Sequence, residues 1–330
     1  LRRLVDNRSA IRRDLRLSLT HAADIPRMIL PLGREPGIRS ELAWSSYASR
    51  GEALLSLLQL LVPATRESIS QGTLVCYPPR ITHEERSSRW FFINGMGTAG
   101  PVALLNASEI ARLFRRPVHL IHTPTWGLIR DVAESITART LRKDGKLSRP
   151  ALNILVEALE NNDQVVLVCH SQGTIVASYI VRKLLRHPSA RELVKKLEIY
   201  CIGGVADSLE IDPQLTLAAG HPVPYVEHFA NGRDYLAQIG ILSHLDSTAG
   251  TVYCLGDRPG HLLNEHYLPA IARGDFCQRR SRLYGYVRGR EPGPKGAGAR
   301  QGHRAGQRAG AADGARAGRA EGARAEARKV

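Results

Sequence analysis

The segment Val165 to Ala177, VVLVCHSQGTIVA, sets a serine between an apolar run and a second run with helical spacing. It reads as strand, sharp turn and helix, with Ser171 at the apex. A serine hydroxyl is a weak nucleophile until it is held clear of its own backbone, beside a base and beside N–H donors that can receive an oxyanion. A tight turn between a buried strand and a buried helix does this. The residues two before and two after the serine must be small, because the strand and helix backbones nearly touch there. Gly173 meets that demand, and Cys169 meets it approximately, one small side chain away from the strict Gly-x-Ser-x-Gly elbow. The competing reading, a serine that merely caps the following helix, uses the same residue for less.

Serine chemistry also needs an imidazole, a carboxylate and oxyanion donors. His261 lies in GDRPGHLLNEHYLPAI, directly after the expected strand 251–255, where an exposed loop can carry a ring over the elbow. His266 sits five residues on, inside the expected helix, and reads as a packing group and the weaker candidate base. For the acid, Asp234 in ANGRDYLAQIG follows the strand 225–230, and Asp207 in GGVADSLE is its rival. Asp234 also has a simpler reading as a helix N-cap. The oxyanion donors are expected from the backbone N–H of Gln172 and, in the glycine-rich loop FFINGMG, that of Met96. No Gly-Lys-Ser/Thr follows that loop and its spacing is not Gly-x-Gly-x-x-Gly, so a phosphate cradle is disfavoured.

Strand-like and helix-like segments alternate from about residue 88, which predicts a mainly parallel sheet covered on both faces. Strands are expected at 73–77, 90–94, 117–123, 165–169, 197–202, 225–230 and 251–255. Helices are expected at 40–61, 102–114, 132–143, 151–161, 174–185 and 262–272. Every candidate site residue then follows the C-terminal end of a strand, the edge where such sheets gather ligands.

The chain has 330 residues and a formal charge of +15. Residues 279–330 contain 14 Lys or Arg and 4 Asp or Glu, so +10 of the excess lies there and +5 in the rest. From Arg288 the composition is Gly, Ala and Arg with almost no large apolar residue, which predicts a disordered tail. With no aromatic stacking platform in that run, no specific nucleic-acid role is expected, only weak contact with anionic surfaces. The five cysteines are scattered without a C-x-x-C pair, as for buried thiols in a reducing compartment, and neither a metal nor a cofactor is expected. No run approaches the roughly 18 to 20 apolar residues of a membrane-spanning helix. The opening LRRLVDNRSAIRR lacks a signal-peptide core, so a cytoplasmic location is expected.

These motifs resemble the α/β-hydrolase superfamily of lipases and esterases over about residues 88 to 273. CHSQGTIVA is similar to its GHSQGG elbow, FINGMGT to its oxyanion loop and PGHLL to the Gly-His of its last-strand loop, and the order serine, acid, histidine agrees. Cys169 and Asn94 depart from the usual glycine and histidine, and the segment 203–224 is too short for a large cap. The resemblance implies that Ser171 attacks an ester carbonyl, His261 transfers the proton, Asp234 holds the imidazolium, and Met96 and Gln172 receive the oxyanion. It implies hydrolysis of a carboxylic ester, lipid-like or small, through an acyl-enzyme; the alternative is a catalytically inactive binding or scaffold protein on the same fold. The expected organisation is an N-terminal extension over 1–87 with a helical cover and an edge strand, a catalytic domain over 88–287 and the tail over 288–330.

Overall fold

Successive residues of the strands turn to opposite faces of a sheet whose two faces are both buried, and this accounts for the nearly unbroken apolar runs. Phe92, Val166 and Val168 join one core, while Phe91, Ile93, Val165 and Leu167 join the other. Each buried Phe, Leu or Ile contributes about 1.5 to 3 kcal/mol by leaving water. In this computed structural model the described residues are 8–32, 37–61, 73–75, 88–95, 98–123, 148–206, 209, 222–276 and 280–293.

The strands are β1 (Thr73–Val75), β2 (Ser88–Ile93), β3 (Val118–Ile121), β4 (Gln164–His170), β5 (Leu197–Ile202), β6 (Tyr225–Asn231) and β7 (Thr251–Leu255). They form one sheet in the order β1-β3-β2-β4-β5-β6-β7. Only the edge strand β1 runs antiparallel to its neighbour. The principal helices are α1 (Arg8–Thr20), α2 (Arg50–Leu61), α3 (Gly100–Phe114), α4 (Ser148–Asn161), α5 (Gly173–Arg186), α6 (Tyr235–Ile239) and α7 (Leu268–Arg273). Helix α3 covers the first core through Ala103, Ala107, Ile110 and Phe114, and α4 and α5 cover the second. This is the sheet-and-helix architecture of the α/β-hydrolase fold.

The chain leaves β2 for β3 on one side and returns to β4 on the other. The loops after β2 and β4 therefore flank a topological switch point, where a crevice opens at the strand ends. Asn94-Gly95 follows β2 and Ser171 follows β4, so the fold brings these two loops side by side.

Two expected helices differ in extent. The one foreseen over 40–61 begins at Arg50, because Ser49 and Glu52 form a reciprocal cap: the Ser49 hydroxyl accepts from the Glu52 N–H, and the Glu52 carboxylate accepts from the Ala48 N–H. The helix foreseen over 262–272 opens as a π-turn, Leu263–Tyr267, before α7. The expected helix over 132–143, Met96, Asp207, most of the segment 207–221 and the tail from 294 lie outside the described residues. Cys169 and Cys201 are buried free thiols and Cys254 is half-buried.

Candidate functional site

At the end of β4 the backbone turns into α5 through Ser171, whose φ of 52° lies in the left-handed region that residues with a Cβ rarely occupy. Such a conformation costs on the order of 1 to 3 kcal/mol and persists only where its surroundings enforce it. Here the Ser171 N–H donates to the Ile202 carbonyl (3.0 Å), and the Ser171 carbonyl accepts from the Thr174 hydroxyl (2.7 Å). The crowding anticipated around the elbow is real. A Cβ on Gly173 would lie 2.6 Å from the Ile93 carbonyl oxygen, and one on Gly95 would lie 2.7 Å from the Ser171 Cβ. Cys169, by contrast, is accommodated with its side chain in the second core, so a glycine is not needed there. Among the described residues the Ser171 Oγ, which is buried, has no hydrogen-bond partner.

Asp234 divides its oxygens between a helix cap and His261. Its Oδ1 accepts the Leu236 N–H (3.0 Å) and caps α6, while its Oδ2 faces His261 Nδ1 at 2.7 Å and accepts the Tyr267 hydroxyl at 2.6 Å. The Tyr267 hydroxyl in turn accepts the Asn231 N–H at 3.0 Å, so its proton is committed to Asp234. Burial, reinforced by the Asp234 charge, pushes the Tyr267 phenol well above its ordinary range and keeps it a donor. With both carboxylate oxygens accepting, His261 donates through Nδ1–H and keeps its Nε2 lone pair free. That Nε2 is buried and, among the described residues, has no hydrogen-bond partner, as is true of the Ser171 Oγ, and the two are not bonded to each other.

Two further histidines, His266 and His170, border the loop that carries His261. His266 has both nitrogens engaged: Nδ1 accepts the Leu262 N–H (3.0 Å) and Nε2 donates to the Pro31 carbonyl (2.9 Å). His170, next to the elbow serine, lies with its ring centroid 4.7 Å from that of His261 and donates through Nε2 to the His261 carbonyl (2.9 Å). Burial, with the neighbouring His261 adding to it, holds His170 well below the ordinary histidine range, so it stays neutral. Nothing in the sequence distinguished this role from a side chain pointing away.

The loop after β2 is braced by a residue that the sequence marked only as a departure. Asn94 donates through Nδ2 to the carbonyls of Gly95 and Thr123 (both 3.0 Å) and accepts the Thr123 N–H at 2.7 Å. The side chain thereby ties the loop after β2 to the end of β3. Gln172, the other donor foreseen for an oxyanion, stands directly before α5 with its own side chain half-buried.

A segment from the N-terminal region reaches the loops that carry Asp234 and His261. The Met28 carbonyl accepts the His261 N–H (2.8 Å), and the Glu41 carboxylate caps the π-turn by accepting the N–H groups of Asn264 (2.7 Å) and Glu265 (3.1 Å). Asp24 pairs with Arg233 and accepts from Gln238, on the loop and helix flanking Asp234. Burial, only partly offset by the two N–H donors, pushes the Glu41 carboxyl from 4.5 up to about 7. A carboxyl raised on folding stabilises the folded state less as pH climbs from the unfolded value to the folded one. Stability should therefore decline between about pH 4.5 and 7 by about 3 kcal/mol from this group. Urea denaturation across that range checks this: the Glu41→Gln variant should lose that part of the slope, and parallel profiles would show that Glu41 does not titrate there.

Asp234 and His261 are thus brought together, and Ser171 with Gln172 stands at the elbow beside His170, whose ring lies against that of His261; Met96 and Asp207 are not among the described residues, and His266 is turned to the N-terminal segment. Among the described residues no cluster of three or more His, Cys, Asp or Glu could hold a metal ion, and no helix is long and apolar enough to cross a membrane.

No protein-family model matches the chain, and no curated protein matches it. Among solved structures it is similar to a hyperthermophilic esterase from the archaeon Pyrobaculum calidifontis, with 11% identity over 71% of this chain and 90% of that one, at a TM-score of 0.39. It is also similar to an arylesterase structure, with 11% identity over 74% of this chain and 94% of that one, at a TM-score of 0.38.

Proposed function

We propose that the protein is a serine hydrolase that cleaves a carboxylic ester through an acyl-enzyme. The observation that carries this reading is the buried pair at 2.7 Å between Asp234 and His261, which leaves His261 Nε2 a free acceptor while Ser171 Oγ stands unpartnered on a strained elbow. Burying two polar atoms without partners costs about 1 to 3 kcal/mol each, a cost that a substrate and its reacting proton would relieve.

In the proposed reaction His261 Nε2 takes the Ser171 proton as Oγ bonds to the ester carbonyl carbon. The oxyanion is received by the backbone N–H groups of Gln172 and Met96. The Asn94 bonds to the Gly95 and Thr123 carbonyls support this by bracing the loop after β2. The C–O bond then breaks, and the alcohol leaves with the proton from His261. Water, deprotonated by the same nitrogen, attacks the acyl-Ser171 ester and releases the acid. Asp234 holds the imidazolium through both transfers. The catalytic domain in this proposal spans 88–287.

Hydrolysis of a short-chain nitrophenyl ester by the full chain, lost in Ser171→Ala, is the expected result. A folded protein that hydrolyses no ester would leave the elbow as architecture in a binding or scaffold protein. Tyr267 is a positioning residue in this scheme, since it touches Asp234 and not the substrate. Tyr267→Phe should lower kcat about tenfold with KM little changed, the cost of one charge-assisted hydrogen bond, and an unchanged kcat would remove Tyr267 from the account.

A further inference from the structure

Helix α1 has two unlike faces. Asp14 is buried on the inner one, and Leu17 packs there against a cluster that contains Met28, Val205, Tyr235 and Leu236. At 100° per residue Arg12, Leu15, Arg16 and Leu19 fall on the opposite face. Leu15 is 60% and Leu19 69% exposed, and both arginines are exposed. The next stretch of chain repeats the pattern, with Leu30 and Leu32 also largely exposed. Solitary exposed leucines are ordinary, but a run of aliphatic residues on one outward segment is not.

The charge of this surface is one-signed. Both acids between residues 12 and 32, Asp14 and Asp24, are buried, and Asp24 is taken up by Arg27, Arg233 and Gln238. The outward groups are aliphatic side chains interleaved with guanidinium groups. No Phe, Trp or Tyr occurs between residues 8 and 32, whereas the cores of protein–protein interfaces are rich in them. Interleaved leucine and arginine suit a lipid surface instead: the leucines enter the acyl boundary while the arginine stems run along it and their heads meet phosphate.

We propose that the outer surface of residues 12–32 is a docking surface for an anionic lipid bilayer. Its position gives docking a consequence. The Met28 carbonyl holds the His261 N–H and the Pro31 carbonyl holds His266, so the docked segment is bonded directly to the histidine loop. If the ester-hydrolase reading holds, on which this consequence rests, the esters presented to Ser171 are those of lipids drawn from that surface.

The test is co-sedimentation of the full chain carrying Ser171→Ala, which binds lipid without consuming it, with phosphatidylcholine vesicles containing phosphatidylglycerol and with phosphatidylcholine vesicles alone. Binding to the mixed vesicles is expected, reduced about tenfold or more by Leu15→Glu with Leu19→Glu, and about fivefold for each of Arg12→Gln and Arg16→Gln. The leucine variants should keep the wild-type melting temperature and, with Ser171 restored, the wild-type rate on a water-soluble ester, because those side chains are exposed and lie outside the site. No binding to the mixed vesicles overturns the proposal. So does binding that the leucine variants leave intact, which would assign it to the arginine-rich tail. A larger sedimenting mass without vesicles that those variants abolish also overturns it, by assigning the face to a second copy of the chain.

Discussion

His261→Ala is expected to lower kcat on a short-chain nitrophenyl ester by at least about 10³-fold, as loss of a triad member does in serine hydrolases generally. His261 pairs with a carboxylate through Nδ1 and leaves Nε2 unengaged, whereas His266 spends one nitrogen on the Leu262 N–H and the other on the Pro31 carbonyl. His170 is held neutral by burial and donates through Nε2 to the His261 carbonyl rather than to a carboxylate, so no counter-charge stabilises a proton taken up at its Nδ1. His266→Ala should therefore retain most of the activity, with only the modest loss that a slackened histidine loop brings. A reversed order of effects would make His266 the base.

Asp234→Asn should cost about 10⁴-fold in kcat by turning the imidazole the wrong way, the effect that the same change has in serine proteases. An amide cannot repeat what the carboxylate does here. If its oxygen caps the Leu236 N–H, its NH₂ faces His261 and Tyr267, forcing Nδ1 to accept and the proton onto Nε2, where none can then be taken from Ser171. With the amide reversed, the histidine is oriented correctly but the cap of α6 is lost, at about 1 kcal/mol of stability. A fall in kcat of less than about tenfold would mean that Asp234 serves only as a cap.

The sequence carried the parts of this site that depend on chain direction and local spacing. An apolar strand, a serine flanked by small residues and a helix are contiguous, so the elbow is legible as a unit. The strand ends before Asp234 and His261 are legible for the same reason. The residues that hold those groups come from far along the chain and carry no local mark. Tyr267 reaches Asp234 across 33 positions, His170 reaches the His261 carbonyl across 91, and Glu41 caps the π-turn across more than 220. The π-turn itself escaped because its apolar spacing, with Leu263 and Tyr267 both buried, is compatible with an ordinary helix. Asn94 was visible as an oddity, but its brace to Thr123 exists only once β2 and β3 lie side by side.

Activation of Ser171 as a nucleophile can be read chemically. The most direct measurement is labelling of the full chain with a fluorophosphonate, with the modified peptide located by mass spectrometry. A single adduct on Ser171 is expected, absent from Ser171→Ala and strongly slowed in His261→Ala. A folded protein that takes no label, or an adduct that survives in Ser171→Ala, would contradict the activation of Ser171.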